Sequence, residues 1–344
     1  MISLSYIGRS LITSCSITRH CIRRCSQKTT TSQKEINKIR RYALSRYMQF
    51  VQGYETLLEK KFPAALRTYR IFTAGIKDFY RDLKSFFQIS MQIHTALRDR
   101  ALLSRGELEL YHKMKKDIVK VAPMLFLSVL PFTNYIVLPM VYLFPRQLLC
   151  SHFWTIQQRV EFDVHNLRSR LYHCRPVFRA LQAQLDNIED ESLHKPWARI
   201  LSLIGSGVHP KTEDIVKCID LFKGHPYHIL YLYTGHVRHL LKMHGMHVGW
   251  RRRYRLSDRA RIIHEMDMAI LREGGVKAMS HDQLRWACFL RGLNPVNVKE
   301  DDLIEWINNW IVVSKHVDEN SLSLLLHCPI LLAYNQPGNW ALIY

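Results

Sequence analysis

Residues 249–261, "GWRRRYRLSDRAR", set Arg251, Arg252, Arg253, Arg255, Arg259 and Arg261 around Trp250 and Tyr254. Guanidinium groups grip phosphate through charge and forked hydrogen bonds, and aromatic rings stack on unpaired bases. Trp250, Arg251, Arg252, Arg253, Tyr254 and Arg255 are therefore the leading candidates for RNA contact. The competing reading is a solvated basic loop, or arginines paired with acidic helices of the same domain. Other chemistry is faintly written. Residues 224–247 hold six histidines, and His236 and His239 stand three apart, a helical spacing that suits metal ligation. No carboxylate or cysteine lies near them in sequence, so no metal site is expected. "HEMD" at 264–267 lacks the second histidine of a zinc-hydrolase motif. Glu300, Asp301, Asp302 and Glu305 read as favourable charge at a helix N-terminus. No phosphate-binding loop, dinucleotide fingerprint or nucleophile elbow occurs. The expectation is a protein that is not an enzyme, with no catalytic residue, cofactor, metal or small-molecule substrate.

The elements that must carry these residues read as helices. "LSDRARIIHEMDMAILREGG" offers Ser257 as an N-cap and Gly274 as a stop. "MSHDQLRWACFLRGL" opens with Ser280 and Gln283 in a capping-box arrangement and closes at Gly292. Asn297 with Glu300 repeats that arrangement one helix later. Strand-like alternation between turn signals is nearly absent, which predicts an all-α fold. Upstream, Ile36, Ile39, Tyr42, Ala43, Tyr47, Phe50, Val51 and Tyr54 form one apolar helical stripe, and Pro63 starts a second helix. Residues 35–120 carry 18 basic and 9 acidic side chains. This amphipathic region suits either a core face or a surface resting on anionic lipid.

From Val121 to Pro145 the chain has 25 uncharged residues, four of them proline. As a helix this stretch would reach about 37 Å, enough to cross a hydrocarbon core of ~30 Å. Pro123 and Pro145 fall at its ends, while Pro131 and Pro139 each free a carbonyl that needs a partner helix, a hydroxyl such as Ser128 or Thr133, or water, so kinking or packing against copies of itself is expected. Residues 1–34 have no acidic residue, six Lys or Arg and twelve Ser or Thr, the composition of a mitochondrial import presequence. The whole chain carries +20; removing those six charges leaves +20 − 6 = +14, so the remainder still favours anionic partners. Cys15, Cys21 and Cys25 fall in the presequence. Cys150, Cys174, Cys218, Cys288 and Cys328 form no C-x-x-C pair, which points to neither a disulfide framework nor a zinc cluster.

Three passages together resemble the LETM-domain family of mitochondrial inner-membrane proteins. "LSRGELELYHKMKKDIVKVAP" places Arg105, Glu107, Asp117 and Pro123 on the family's approach to the membrane. "PFTNYIVLPMVYLFPRQLL" is similar to its span. "REGGVKAMSHDQLRWACFLRGL" carries Leu284, Ala287, Cys288, Arg291 and Gly292 in the register of its C-terminal helical domain. The resemblance covers roughly residues 105–315 and is greatest to short members without an EF-hand or a C-terminal coiled coil. It implies a proline-kinked transmembrane helix, 121–145, followed by a 14-3-3-like helical LETM (ribosome-binding) domain, 146–344, in the matrix. The implied partners are the mitochondrial ribosome and the inner membrane in a single pass, with self-association through the span as a further contact. Membrane-protein biogenesis and respiratory function would be the processes served.

The alternative is cation/proton exchange, which longer members are linked to. Where those members place a glutamate after the Pro-Phe pair, this chain has Asn134, and an asparagine cannot cycle a proton. One feature cuts against the implied topology. The 20 residues before the span carry five basic side chains and the 20 after it carry two, so the positive-inside rule would put the N-terminal flank in the matrix.

Overall fold

Helix-forming periodicity and local caps dominate the chain, and its architecture follows from them. The computed structural model describes residues 63–95, 100–129, 140 and 143–343. The presequence, the stripe of residues 36–54, and Pro131, Asn134 and Pro139 lie outside the described residues. Among those described there are helices and no strand. They are α1 (Pro63–His94), α2 (Arg105–Val129), α3 (Pro145–Leu148), α4 (Ile156–Tyr172), α5 (Cys174–Gln182), α6 (Glu191–Gly205) and α7 (Thr212–Lys217). Then come α8 (Thr234–Met243), α9 (Arg252–Arg272), α10 (His281–Arg291), α11 (Glu300–Lys315), α12 (Ser323–Ala333) and α13 (Pro337–Ile343). Compactness divides the chain into residues 1–73 and 74–344. Of the first unit only the opening of α1 is described; the second holds the core and the candidate sites.

Several boundaries obey local chemistry. Ser280 and Gln283 form a complete capping box on α10, which ends on Gly292 at φ 97°. Thr155 and Gln158 do the same for α4. Glu300, Asp301 and Asp302 fill the first turn of α11, where the helix dipole favours them. Three expectations need correction. Lys299, not Asn297, is the N-cap of α11, because Asn297 turns the chain with φ 59°. Ser257 is not an N-cap, since α9 begins at Arg252 and takes the arginine run into its first turn. Leu256 is fully buried there, so packing carries the helix back through a polar start. Pro123 does not mark a helix end either: α2 runs through it to Val129.

The core surrounds α12, whose eleven residues are all buried. A helix buried all round, predominantly apolar and about 16 Å long belongs inside a protein and is too short to span a bilayer. Trp197 donates to the Tyr227 hydroxyl (2.9 Å), which donates to the Leu181 carbonyl (2.8 Å). A buried ionic centre locks α9, α10 and α11 together. Asp267 accepts hydrogen bonds from Arg291, from Trp310 Nε1 at 3.0 Å and from the Ser314 hydroxyl at 2.6 Å. Leu284, Ala287, Cys288 and Arg291 are all buried, so the passage that carries the family resemblance encodes packing. A second cluster joins Leu103, Leu108 and Tyr111 to Ile262, Met266, Ala269 and Leu290. Helical packing therefore unites residues before position 121 with those after 145.

Candidate functional site

The arginine run lies at the start of α9, preceded by Arg251 in a left-handed conformation (φ 53°). Its members play different parts. Trp250 is 92% exposed, and the Arg251 guanidinium sits 4.2 Å from the centre of the exposed Tyr254 ring. Arg252 donates to the Gly249 carbonyl at 3.2 Å. Arg253 donates to the carbonyls of Ile229 (3.2 Å) and Leu232 (2.8 Å), so it hooks the 229–232 loop onto α9. That loop presents Leu230, Tyr231 and Tyr233, all exposed. Arg255 contacts His247 at 3.4 Å. Arg259 faces inward instead, buried with its Nη1 2.6 Å from His112 Nε2. It does not join the surface group.

Among the described residues none of Arg251, Arg252, Arg253 or Arg255 pairs with a carboxylate; their partners are carbonyls, a histidine and a tyrosine ring. A helix N-terminus already carries roughly half a positive charge, so arginines there repel it unless an anion binds. Exposed rings, guanidinium groups without a carboxylate partner among the described residues, and a helix start together form an anion-attracting face with stacking surfaces. The sequence motif identified the arginine run but not the exposed Tyr231 and Tyr233, whose loop is tied to α9 by Arg253. Glycine-free "HILYLY" carries no local signal of that exposure.

The histidines do not converge on a metal. His236 meets His327 with Nε2 atoms 3.0 Å apart, while His239 meets His173 with Nδ1 atoms 3.2 Å apart. A basic cavity of about 620 Å³ opens between α2, α4, α8, α9 and α10, with Lys113, Lys116, Lys120, Arg170 and Lys242 on its wall. Arg170 is buried and donates to the carbonyls of Met243, Phe289 and Leu290, tying α4 to the ends of α8 and α10. Burial pushes it down to about 10. Lys116 is pulled down to about 7, first by the surrounding protein and then by Arg259 and Arg170, although its side chain still meets solvent.

The flanks of the apolar segment also meet. Val121 and Met114 pack with Cys150 and Phe79 in one buried cluster. Lys120 Nζ lies 4.7 Å over the Trp154 ring, and Trp154 Nε1 donates to the Pro145 carbonyl at 3.2 Å. α3 packs directly on α2. A single crossing would hold the two flanks ~30 Å apart. The contacts instead bring both flanks to one place. Among the described residues no helix is long and apolar enough to cross a membrane. Exposed apolar side chains cluster along this part of the chain at Val119, Phe126, Leu143 and Phe144. Pro145 opens α3.

Among the described residues, fold and site define an all-helical body with an anion-attracting aromatic face and an apolar segment whose flanks are clamped together. The family model described as LETM1-like, RBD matches residues 103–331, from the approach to α2 into α12, and the chain belongs to that family. It is 30% identical to LETM1 domain-containing protein 1 of Xenopus tropicalis over 289 residues, covering 83% of this chain and 82% of that protein. Identity to the Homo sapiens protein of the same name is 28% over 319 residues, covering 92% and 88%. The Bos taurus protein is 27% identical over 320 residues, with the same coverage.

Proposed function

We propose that this chain is a non-enzymatic mitochondrial inner-membrane protein whose helical body, with a 14-3-3-like arrangement, docks on the mitochondrial ribosome through the start of α9. It would thereby support membrane-protein biogenesis and respiratory function. The observation that carries this reading is the exposed group of Trp250, Arg251 and Tyr254, with no carboxylate partner among the described residues. Ribosomal RNA supplies phosphates for the guanidinium groups and bases for the rings. The acid-free presequence supports import, and family membership agrees with it.

The membrane segment remains 121–145, with both of its flanks on one face of the bilayer. Contact between residues 114–121 and 145–154 supports this, as do lysine and tryptophan at the join, residues suited to the lipid interface. Both flanks then share the matrix side, and the conflict between their charge asymmetry and a matrix-facing C-terminal domain disappears. Co-sedimentation of the detergent-solubilised full chain with mitochondrial ribosomes tests the docking. Binding at low salt that is lost as salt rises is expected; absence of binding at low salt refutes it. Protease protection in mitoplasts tests the topology. Tags placed after residue 34 and at the C-terminus should both be protected, and digestion of either overturns the one-face reading.

A further inference from the structure

Between the flanks lies a group of side chains that no motif joins. Asp117 comes from α2, Cys150 and His152 from the turn after α3, and Asp82 from α1. Cys150 Sγ is 3.3 Å from His152 Nδ1, and that nitrogen is 3.8 Å from Asp117 Oδ2. The three donor atoms all lie within 4.8 Å of one another. In a tetrahedral zinc site with Zn–S near 2.3 Å and Zn–N or Zn–O near 2.0–2.1 Å, adjacent donors stand about 3.6 Å (S to N) and about 3.3 Å (N to O) apart. The observed spacings bracket those edges.

The surroundings fit a ligand set better than a hydrogen-bond cluster. Asp82 Oδ2 lies 2.9 Å from His152 Nε2, accepting its proton and leaving the Nδ1 lone pair toward Cys150 and Asp117. A carboxylate behind the far nitrogen is the usual outer partner of a metal-bound histidine. The Phe79 ring meets the imidazole edge-on at 5.7 Å and holds its plane. Asp117 Oδ2 is buried and, among the described residues, has no hydrogen-bond partner. The turn itself is pressed onto α1, since a Cβ at Gly75 would stand 2.5 Å from the His152 carbonyl oxygen.

We infer that Asp117, Cys150 and His152 bind a zinc-class divalent cation, with Asp82 positioning the histidine and water completing the tetrahedron. Thiolate and carboxylate together supply two negative charges, which match the dication, and the thiol proton leaves to solvent on binding. Lys113, Lys116 and Lys120 stand near Asp117, so ions relying on carboxylate charge alone, such as calcium, are disfavoured relative to one bonded to sulfur. The metal would staple α2 to the turn after α3, closing the base of the 121–145 segment. The inference does not depend on ribosome docking.

The test uses the detergent-solubilised full chain, stripped with chelator and dialysed against zinc, with metal content read by mass spectrometry. One tightly held zinc per chain is expected. Cys150→Ser should weaken it at least about 10-fold, and Asp82→Asn by about 10–100-fold, while Cys174→Ser leaves it unchanged. Cobalt loading of the unaltered chain should give a thiolate-to-cobalt charge-transfer band that Cys174→Ser retains. Failure of the unaltered chain to hold one zinc overturns the site. So does a cobalt spectrum without the thiolate band, and that reading stands even where Cys150→Ser does not fold.

Discussion

Asp267→Ala removes the acceptor at the centre of the buried ionic group and leaves the Arg291 guanidinium without a counter-ion. Both side chains are essentially inaccessible, at 0% and 1% exposure, so water cannot replace the lost partner. Breaking such a pair from one side costs about 3–5 kcal/mol. The Trp310 N–H and the Ser314 hydroxyl lose their acceptor as well, each adding a penalty of about 1–3 kcal/mol that is not independent of the first. The pair alone is a large share of a total stability of about 5–15 kcal/mol. At about 2–4 °C per kcal/mol, the melting temperature should fall by roughly 6–20 °C. Thermal unfolding of the detergent-solubilised chain, followed by helical circular dichroism, measures it. The double change Asp267→Leu with Arg291→Met should recover much of the loss, because an apolar pair needs no desolvated charge. A single-variant loss below about 1 kcal/mol, or a double variant no better than the single, would refute the reasoning.

Acidification supplies a second prediction. His236 and His327 face each other in the core, and burial lowers both, His327 to about 4. The unfolded chain, with histidine near 6.5, binds more protons between those values, so stability is full above about pH 6.5 and drains away as pH falls toward 4. His327→Gln should flatten that slope in a pH series of melts. Gly75→Ala should cost about 1–3 kcal/mol, because its Cβ must displace the His152 carbonyl and the Phe153 ring. Arg253→Ala should lower stability by about 1–3 kcal/mol by orphaning two carbonyls, whereas Arg251→Ala should leave the melting temperature within about 1 °C.

Local chemistry is legible in the sequence and convergence is not. Ser280, Gln283 and Gly292 announce α10 because a capping box and a left-handed stop are written within thirteen residues. Local signals place the start of α9 too late, since helix formation there depends on burial of Leu256 and on the reach of Arg253 to a distant loop. "HEMD" fails as a hydrolase motif, yet its aspartate anchors the core through partners 24, 43 and 47 residues away. The apolar run at 121–145 stands out by composition, but composition cannot reveal that Lys120 and Pro145 both contact Trp154. Asp82, Asp117, Cys150 and His152 come from three elements with no motif spacing, so only folding brings them together.

The most direct test of the account is the affinity of mitochondrial ribosomes for the full chain with and without its aromatic–cationic face. Trp250→Ala combined with Arg251→Glu removes a stacking surface worth about 1–3 kcal/mol and reverses a charge that has no carboxylate partner among the described residues, without touching the Arg253 hook. Binding at least about 10-fold weaker, with an unchanged melting temperature and little effect from the same charge change at Lys195, is the predicted result. Equal affinity for the unaltered and doubly substituted chains would contradict ribosome docking through the start of α9.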